Sequence, residues 1–140
     1  MYRILVAMDG SEPANRAAQY AAELAQRVSG SEIVLLNVQE PVEEMQTHGL
    51  VRESIREHRE KLAREASAAA HATIERSGVA CKFQWRFGDP AQAIAATVRE
   101  TGCNMIVMGT RGAGPIENLL IGSVAYKVLH IAEVPVTLVK

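Results

Sequence analysis

Cysteine is scarce in this chain and histidine is unclustered, and the two scarcities remove whole classes of function. The only cysteines, Cys81 and Cys103, lie 22 positions apart. That separation fits neither a C-x-x-C redox pair nor a zinc ligand pattern, so both read as ordinary small apolar residues. His48, His58, His71 and His130 share no spacing that would gather them on one face of an element. No histidine-based metal centre is expected; His58 and His71 read as solvent-facing or half-buried on a helix. A surplus of one charge is missing too, since 15 basic residues against 16 acidic ones leave a net charge of −1. Such a chain has no field to draw it to nucleic acid or to an anionic membrane. No run approaches the ~20 consecutive apolar residues that a bilayer span requires. The start, MYRILVAMDG, has neither a charged n-region nor a small-residue cleavage site and reads as a strand and a turn. The expectation is a soluble, cytoplasmic protein without nucleic acid or membrane among its partners. Two phosphate-binding signatures are also absent: the G-x-x-x-x-G-K-[ST] loop, and the G-x-G-x-x-G that should follow the first strand of a dinucleotide fold.

What remains is the material of one core, since a chain of 140 residues buries roughly 70% of its unfolded surface. Five apolar, often β-branched runs alternate with helical patterns: YRILVAM, EIVLLNV, ACKFQWRF, NMIVMG and VPVTLV. That alternation is the mark of βαβ units in a parallel sheet. Ser11 can cap the first helix, with Pro13 in its first turn; Ala17, Ala21, Leu24, Ala25 and Val28 recur at helical spacing, and Gly30 ends it. The second helix runs from about Leu50 to Arg76, with Ile55, Leu62, Ala66, Ala69 and Thr73 inward, and stops at Gly78. The third takes Asp89 as its cap, Pro90 as its first residue, Ile94 and Val98 inward, and Gly102 as its end.

A strand buried on both faces is continuously apolar, whereas a half-exposed one alternates. ILVAM, IVLLNV and MIVM are continuous; the third run sets Cys81, Phe83, Trp85 and Phe87 against Lys82, Gln84 and Arg86. The third strand therefore belongs at an edge. With right-handed crossovers this gives a doubly wound, five-stranded parallel sheet in the order 3-2-1-4-5, helices on both faces, reversing between strands 1 and 4. Ligands bind such sheets at the reversal, outside the carboxyl ends of the strands. The segments that follow Met8 and Met108 are the ones to inspect.

Beyond strand 4, Gly109 and Gly112 are followed, after nine intervening residues, by Gly122 and Ser123. Glycines at 109, 112 and 114 let the main chain come close to a bulky anion. Gly122-Ser123 opens a helix with Val124, Val128 and Ile131 inward, and its N-terminus suits a phosphate. Arg111 and the Ser123 hydroxyl add donors. The same glycines also serve as turns, and Gly122-Ser123 also reads as a plain helix cap. Asp9, ending strand 1 at the switch point, could accept ribose hydroxyls or hold Mg²⁺ beside phosphates; Asp-Gly-Ser after a strand is equally turn and cap chemistry.

These residues resemble the universal stress proteins over nearly the whole chain: ILVAMDGSEPA, LLNV, FGDPAQAI, MIVMGTRGAG and LIGSVAYKVLHIAEVPVTLVK. The most specific part is the G-x2-G-x9-G-S spacing, which marks that family's ATP-binding branch and is complete in this chain. The resemblance implies a single nucleotide-binding domain over residues 1–140 with ATP, and Mg, as its cofactor. It implies that Gly109, Gly112, Gly122, Ser123 and Val124 surround the phosphates and ribose. Asp9 would meet the ribose or a phosphate-bound divalent ion, and Val38 would pack on adenine. Ala7, Met108 and Arg111 complete the expected site. Asn104, Asn15 and Met8 are minor departures from residue types common in the family, and they bear on the rim of the adenine pocket.

An ATP enzyme needs a positioned base and a cation beyond the phosphate cradle. The four lysines, Lys61, Lys82, Lys127 and Lys140, fall outside the site segments, leaving Arg111. The leading expectation is an ATP-binding regulatory or stress-response module with a regulatory protein partner and no catalytic residue. The alternatives are a slow ATPase or self-phosphorylating protein using Arg111 and Asp9, and a nucleotide-independent dimeric scaffold. The last strand is short, apolar and almost uncharged, an edge that invites pairing, and Pro135 is compatible with an edge. In the resembled family the last strands of two subunits associate, which places Val134, Val136, Leu138 and Val139 in a homodimer interface.

Overall fold

A computed structural model describes residues 1–41, 49–112 and 120–140. Gly114 and His48, singled out above, lie outside the described residues. The elements follow in the order β1 (Arg3–Ala7), α1 (Glu12–Arg27), β2 (Glu32–Gln39), α2 (Gly49–Arg76), β3 (Ala80–Phe87), α3 (Pro90–Thr101), β4 (Met105–Gly109), α4 (Ser123–Ile131) and β5 (Val136–Val139). The sheet is β3-β2-β1-β4-β5 and every pairing is parallel, the architecture the strand patterns predict.

Local chemistry sets the helix ends. Ser11 Oγ accepts the Ala14 N–H at 3.3 Å and Pro13 stands in the first turn of α1. Asp89 caps α3 by accepting the Gln92 N–H at 3.1 Å. Gly102 closes that helix in the left-handed region, φ 70°, where a Cβ would be strained. α1 itself ends at Arg27, with Val28 as its cap. Gly30 lies in the turn beyond it and is not the stop that the sequence suggests.

Two apolar layers sandwich the sheet. Ile4, Val6, Ile33 and Leu35 pack with the alanines of α1 and with Ala70 and Ile74 of α2. Leu5, Val34, Leu36 and Ile106 pack with Ile94 and Val98 of α3 and Val128 of α4. Fully burying each large aliphatic side chain contributes about 1.5–3 kcal/mol.

α2 departs from its expected phase by one residue. Ala63, Ser67, Ala70 and Ile74 are its buried seam, whereas Ala69 is exposed and Leu62, Ala66 and Thr73 are half-buried. Its neighbour is the cause: α1 turns Ala14, Ala17, Ala18, Ala21, Ala22 and Ala25 inward, and against so smooth a surface three of the four seam residues are small, with Ile74 the exception. Longer side chains of α2 reach sideways over β3. Arg56 lies over the Trp85 and Phe87 rings at 5.7 and 5.6 Å, and Arg64 over Phe83 at 5.2 Å.

Candidate functional site

Strands β1 and β4 are in register at Ile4–Met105, Leu5–Ile106 and Val6–Val107, and no further. Past that point β1 stays with β2, where Ala7 pairs Leu36 and the Met8 N–H bonds Leu36 O at 2.8 Å. β4 stays with β5, where Gly109 pairs Val139 and the Thr110 N–H bonds Val139 O at 2.8 Å. The sheet thus splits at its reversal of winding.

A cavity of about 400 Å³ fills the split. Its lining brings together all ten residues expected in the site: Ala7, Asp9, Val38, Met108, Gly109, Arg111, Gly112, Gly122, Ser123 and Val124. Met8 lines it too, and so do Ala14, Leu36, Pro90, Ile94 and Ala125, which the sequence does not assign to the site. Pro90 and Ile94 serve as helix start and core as well; their second role follows from α3 packing on β2, which one sequence alone does not reveal. The lining divides by chemistry: Ala7, Leu36, Val38, Ile94 and Met108 make an apolar wall, and Asp9, Arg111 and Ser123 carry the polar groups.

Two backbone segments converge on the polar side. The Gly122 N–H bonds Thr110 O at 2.6 Å, and a Cβ on Gly122 would stand 3.1 Å from Arg111 Cα. Gly122 is the N-cap of α4, where no side chain caps the helix among the described residues. The helical ladder begins with the Tyr126 N–H on Gly122 O at 2.9 Å. The N–H groups of Ser123, Val124 and Ala125 therefore have no partner within the helix. All three residues line the cavity, and the partial positive charge of the helix end falls there.

Asp9 begins the other side. Its Oδ1 accepts the Ser11 N–H at 2.9 Å, while Oδ2 lies 2.5 Å from where a Cβ of Gly112 would stand. Gly112 is thus needed for the approach of a carboxylate. At Gly109 the structure adds a reason for glycine that the sequence does not show: a Cβ there would meet Pro13 Cβ at 2.8 Å and Pro13 C at 3.0 Å. Helix α1 by itself already demands the missing side chain.

Two of the family departures move away from the rim. Asn104 precedes β4 at the opposite end of the sheet, where its Oδ1 accepts the Arg3 N–H at 2.8 Å. Asn15 sits in the first turn of α1 and does not line the cavity. Met8 does line it, as a rim residue should. His71 pairs with Glu75 along α2 at 3.7 Å, and no cluster of metal-ligating side chains occurs among the described residues. No described helix is long and apolar enough to cross a membrane.

Fold and site define a doubly wound α/β protein with a ligand-sized cavity at its topological switch point. The family model described as the universal stress protein family matches residues 1–140, and the chain belongs to that family. A universal stress protein of Thermus aquaticus is 35% identical over 98% of this chain and 97% of its own. The structure of the Archaeoglobus fulgidus universal stress protein superposes with a TM-score of 0.77 at 27% identity, covering 100% of this chain and 99% of the other. A universal stress protein from the same organism, in complex with dAMP, superposes with a TM-score of 0.71 at 26% identity, covering 100% and 98%.

Proposed function

We propose that the cavity binds an adenine nucleotide, ATP with Mg²⁺ in its resident form, and that the chain belongs to the ATP-binding branch of its family. In this reading residues 1–140 act as one cytoplasmic nucleotide-binding domain, paired as a homodimer, whose occupancy is read by a regulatory protein partner. The observation that carries it is the uncapped start of α4: three N–H groups without helical partners border a cavity whose other wall is apolar. Phosphate suits the first and a purine the second. The relative solved with dAMP supports the same ligand class.

Asp9 fits the ion as well as the sugar. Its Oδ1 accepts the Ser11 N–H, the residue lines the cavity, and Mg²⁺ typically takes one or two carboxylates with phosphate oxygens. Asp9 is the one carboxylate among the described lining residues and no histidine joins it, so with Asp9 on the ion or the sugar no second carboxylate stands ready as a base, and hydrolysis should be slow.

The test is thermal unfolding with Mg-ATP. At one hundred times its dissociation constant a native-state ligand stabilises by ~2.7 kcal/mol, a clear shift. Gly122→Val should abolish that shift, because its side chain presses on the Arg111 backbone that borders the cradle. The backbone at Gly122, φ −72°, accepts any residue, so the unliganded variant should still unfold cooperatively. Adenosine should shift wild type much less than ATP. A folded Gly122→Val that binds Mg-ATP as wild type does would reduce the loop to a turn and a cap.

A further inference from the structure

Along β2 the side chains alternate between the two faces of the sheet. Leu36 and Val38 line the cavity, while Asn37 and Gln39 turn the other way, toward α2. Asn37 is 3% exposed, and its Nδ2 donates to Met8 O at 2.7 Å. Met8 is where β1 leaves the sheet, so this carbonyl sits on the peptide bond that leads into Asp9.

The amide of Asn37 is itself held. Gln39 Nε2 donates to Asn37 Oδ1 at 2.7 Å, and Arg59 Nη1, from α2, donates to Gln39 Oε1 at 3.2 Å. A guanidinium can only donate and a peptide carbonyl can only accept. With a donor at one end and an acceptor at the other, each amide between them has one permitted orientation. Asn37 must present its NH₂ to Met8, and Gln39 must present its NH₂ to Asn37.

We infer that Asn37 is a positioning residue for the nucleotide site, acting through the Met8–Asp9 peptide on the Asp9 carboxylate, with Gln39 and Arg59 fixing its orientation. The inference rests on the nucleotide reading of the cavity. Turning that peptide plane would change φ of Asp9 and swing its Cβ. Such a swing would carry the carboxylate off its present place, where Oδ1 accepts the Ser11 N–H and Oδ2 lies beside Gly112. The bond from Asn37 therefore sets where the carboxylate meets the ligand, although Asn37 never touches it.

Calorimetric titration with Mg-ATP of wild type, Asp9→Ala, Asn37→Leu and the double variant tests this. Wild type should bind, and Asn37→Leu should bind about tenfold more weakly, the scale of one hydrogen bond. The double variant should bind no more weakly than Asp9→Ala, because two residues acting as one unit are not additive. A general loosening of the fold would instead add in full to the loss from Asp9→Ala. Gln39→Leu, at a half-buried position, frees the Asn37 amide without emptying a buried site, so it carries the test if Asn37→Leu does not fold. It should weaken binding by about threefold, again without adding to Asp9→Ala. Wild-type affinity in a folded Asn37→Leu or Gln39→Leu, or full additivity, overturns the inference while leaving the nucleotide site intact. A wild type that does not bind Mg-ATP overturns both.

Discussion

The Lys127 ammonium lies 3.2 Å from Asp89 Oδ1, while Oδ2 of the same carboxylate accepts the Gln92 N–H that starts α3. One side chain thus caps α3 and ties α4 to it. The Gln92 backbone bond, followed by Lys127, holds the Asp89 carboxyl below its ordinary value of 3.8. A depressed folded-state value means that the carboxylate contributes stability fully above the ordinary value and loses it as pH falls through the lower, folded one. Asp89→Asn keeps a capping oxygen and removes the charge. Denaturant midpoints should place this variant below wild type at about pH 6, with the gap closing at about pH 2. An unchanged gap across that range would show that the charge contributes nothing.

Cys81 is half-buried on β3, and its thiol is pushed up to about 11, by burial first and then by the nearby Glu75 and Glu32. It should stay a thiol at neutral pH and alkylate far more slowly than a free cysteine. Mass spectrometry of native protein treated with iodoacetamide at about pH 7.5 checks this, with full labelling expected only after unfolding. Glu75→Gln should raise the native rate modestly. Labelling of native Cys81 at the free-thiol rate would contradict the assigned environment.

Two neighbouring glycines should respond in opposite ways. Alanine at 109 meets the Pro13 ring and backbone, which cannot yield, and should cost about 1–3 kcal/mol of stability as overpacking does. At 112 the obstacle is the end of the Asp9 side chain, which can rotate away. Gly112→Ala should keep most of its stability and lose nucleotide affinity. Chemical denaturation and calorimetry on the two variants separate these effects; equal destabilisation would refute the assignment.

The proposed dimer can be tested at the backbone of β5. The Ile106 N–H bonds Pro135 O and the Thr110 N–H bonds Val139 O, so Val136 and Leu138 turn their own N–H and C=O away from β4. The side chains of Val134, Val136 and Leu138 are half-buried against the α3 and α4 side of the core. The outward main chain is thus the better handle on pairing between copies. Leu138→Pro removes an outward donor and no bond to β4. Sedimentation should report twice the 15.2 kDa chain mass for wild type and a single chain for the variant. A wild-type monomer at micromolar concentration would end the proposal.

Much of this fold was legible because burial leaves its mark on strands. The continuous apolar runs at β1, β2 and β4 and the alternation from Cys81 to Phe87 were enough to order the sheet, and the order located the cavity. Contacts between helices were less legible. In α2 the sequence supplies alanine, serine and threonine at several phases, and only the alanine face of α1 selects Ala63, Ser67 and Ala70 over Leu62 and Ala66. Asn37 was invisible within an apolar run, since its partner is a backbone carbonyl that no side-chain pattern reports. Gly109 was visible as a glycine but not for its cause, which lies in a helix start nearly a hundred positions away.

The split between β1 and β4 makes the sheet a pair of wings joined along a short spine. One wing carries Asp9 and Val38 on the β2 side, the other Gly109 and Gly122 on the β5 side, and the sheet ladder between them ends at Val6 and Val107. A molecule lodged in the gap touches both wings where the ladder no longer does. Filling it restores across the gap the restraint that the missing rungs would have given. Amide exchange at the far tips of β4 and β5 should slow together with that at the end of β1, so an event in the middle of the sheet is felt at its rim.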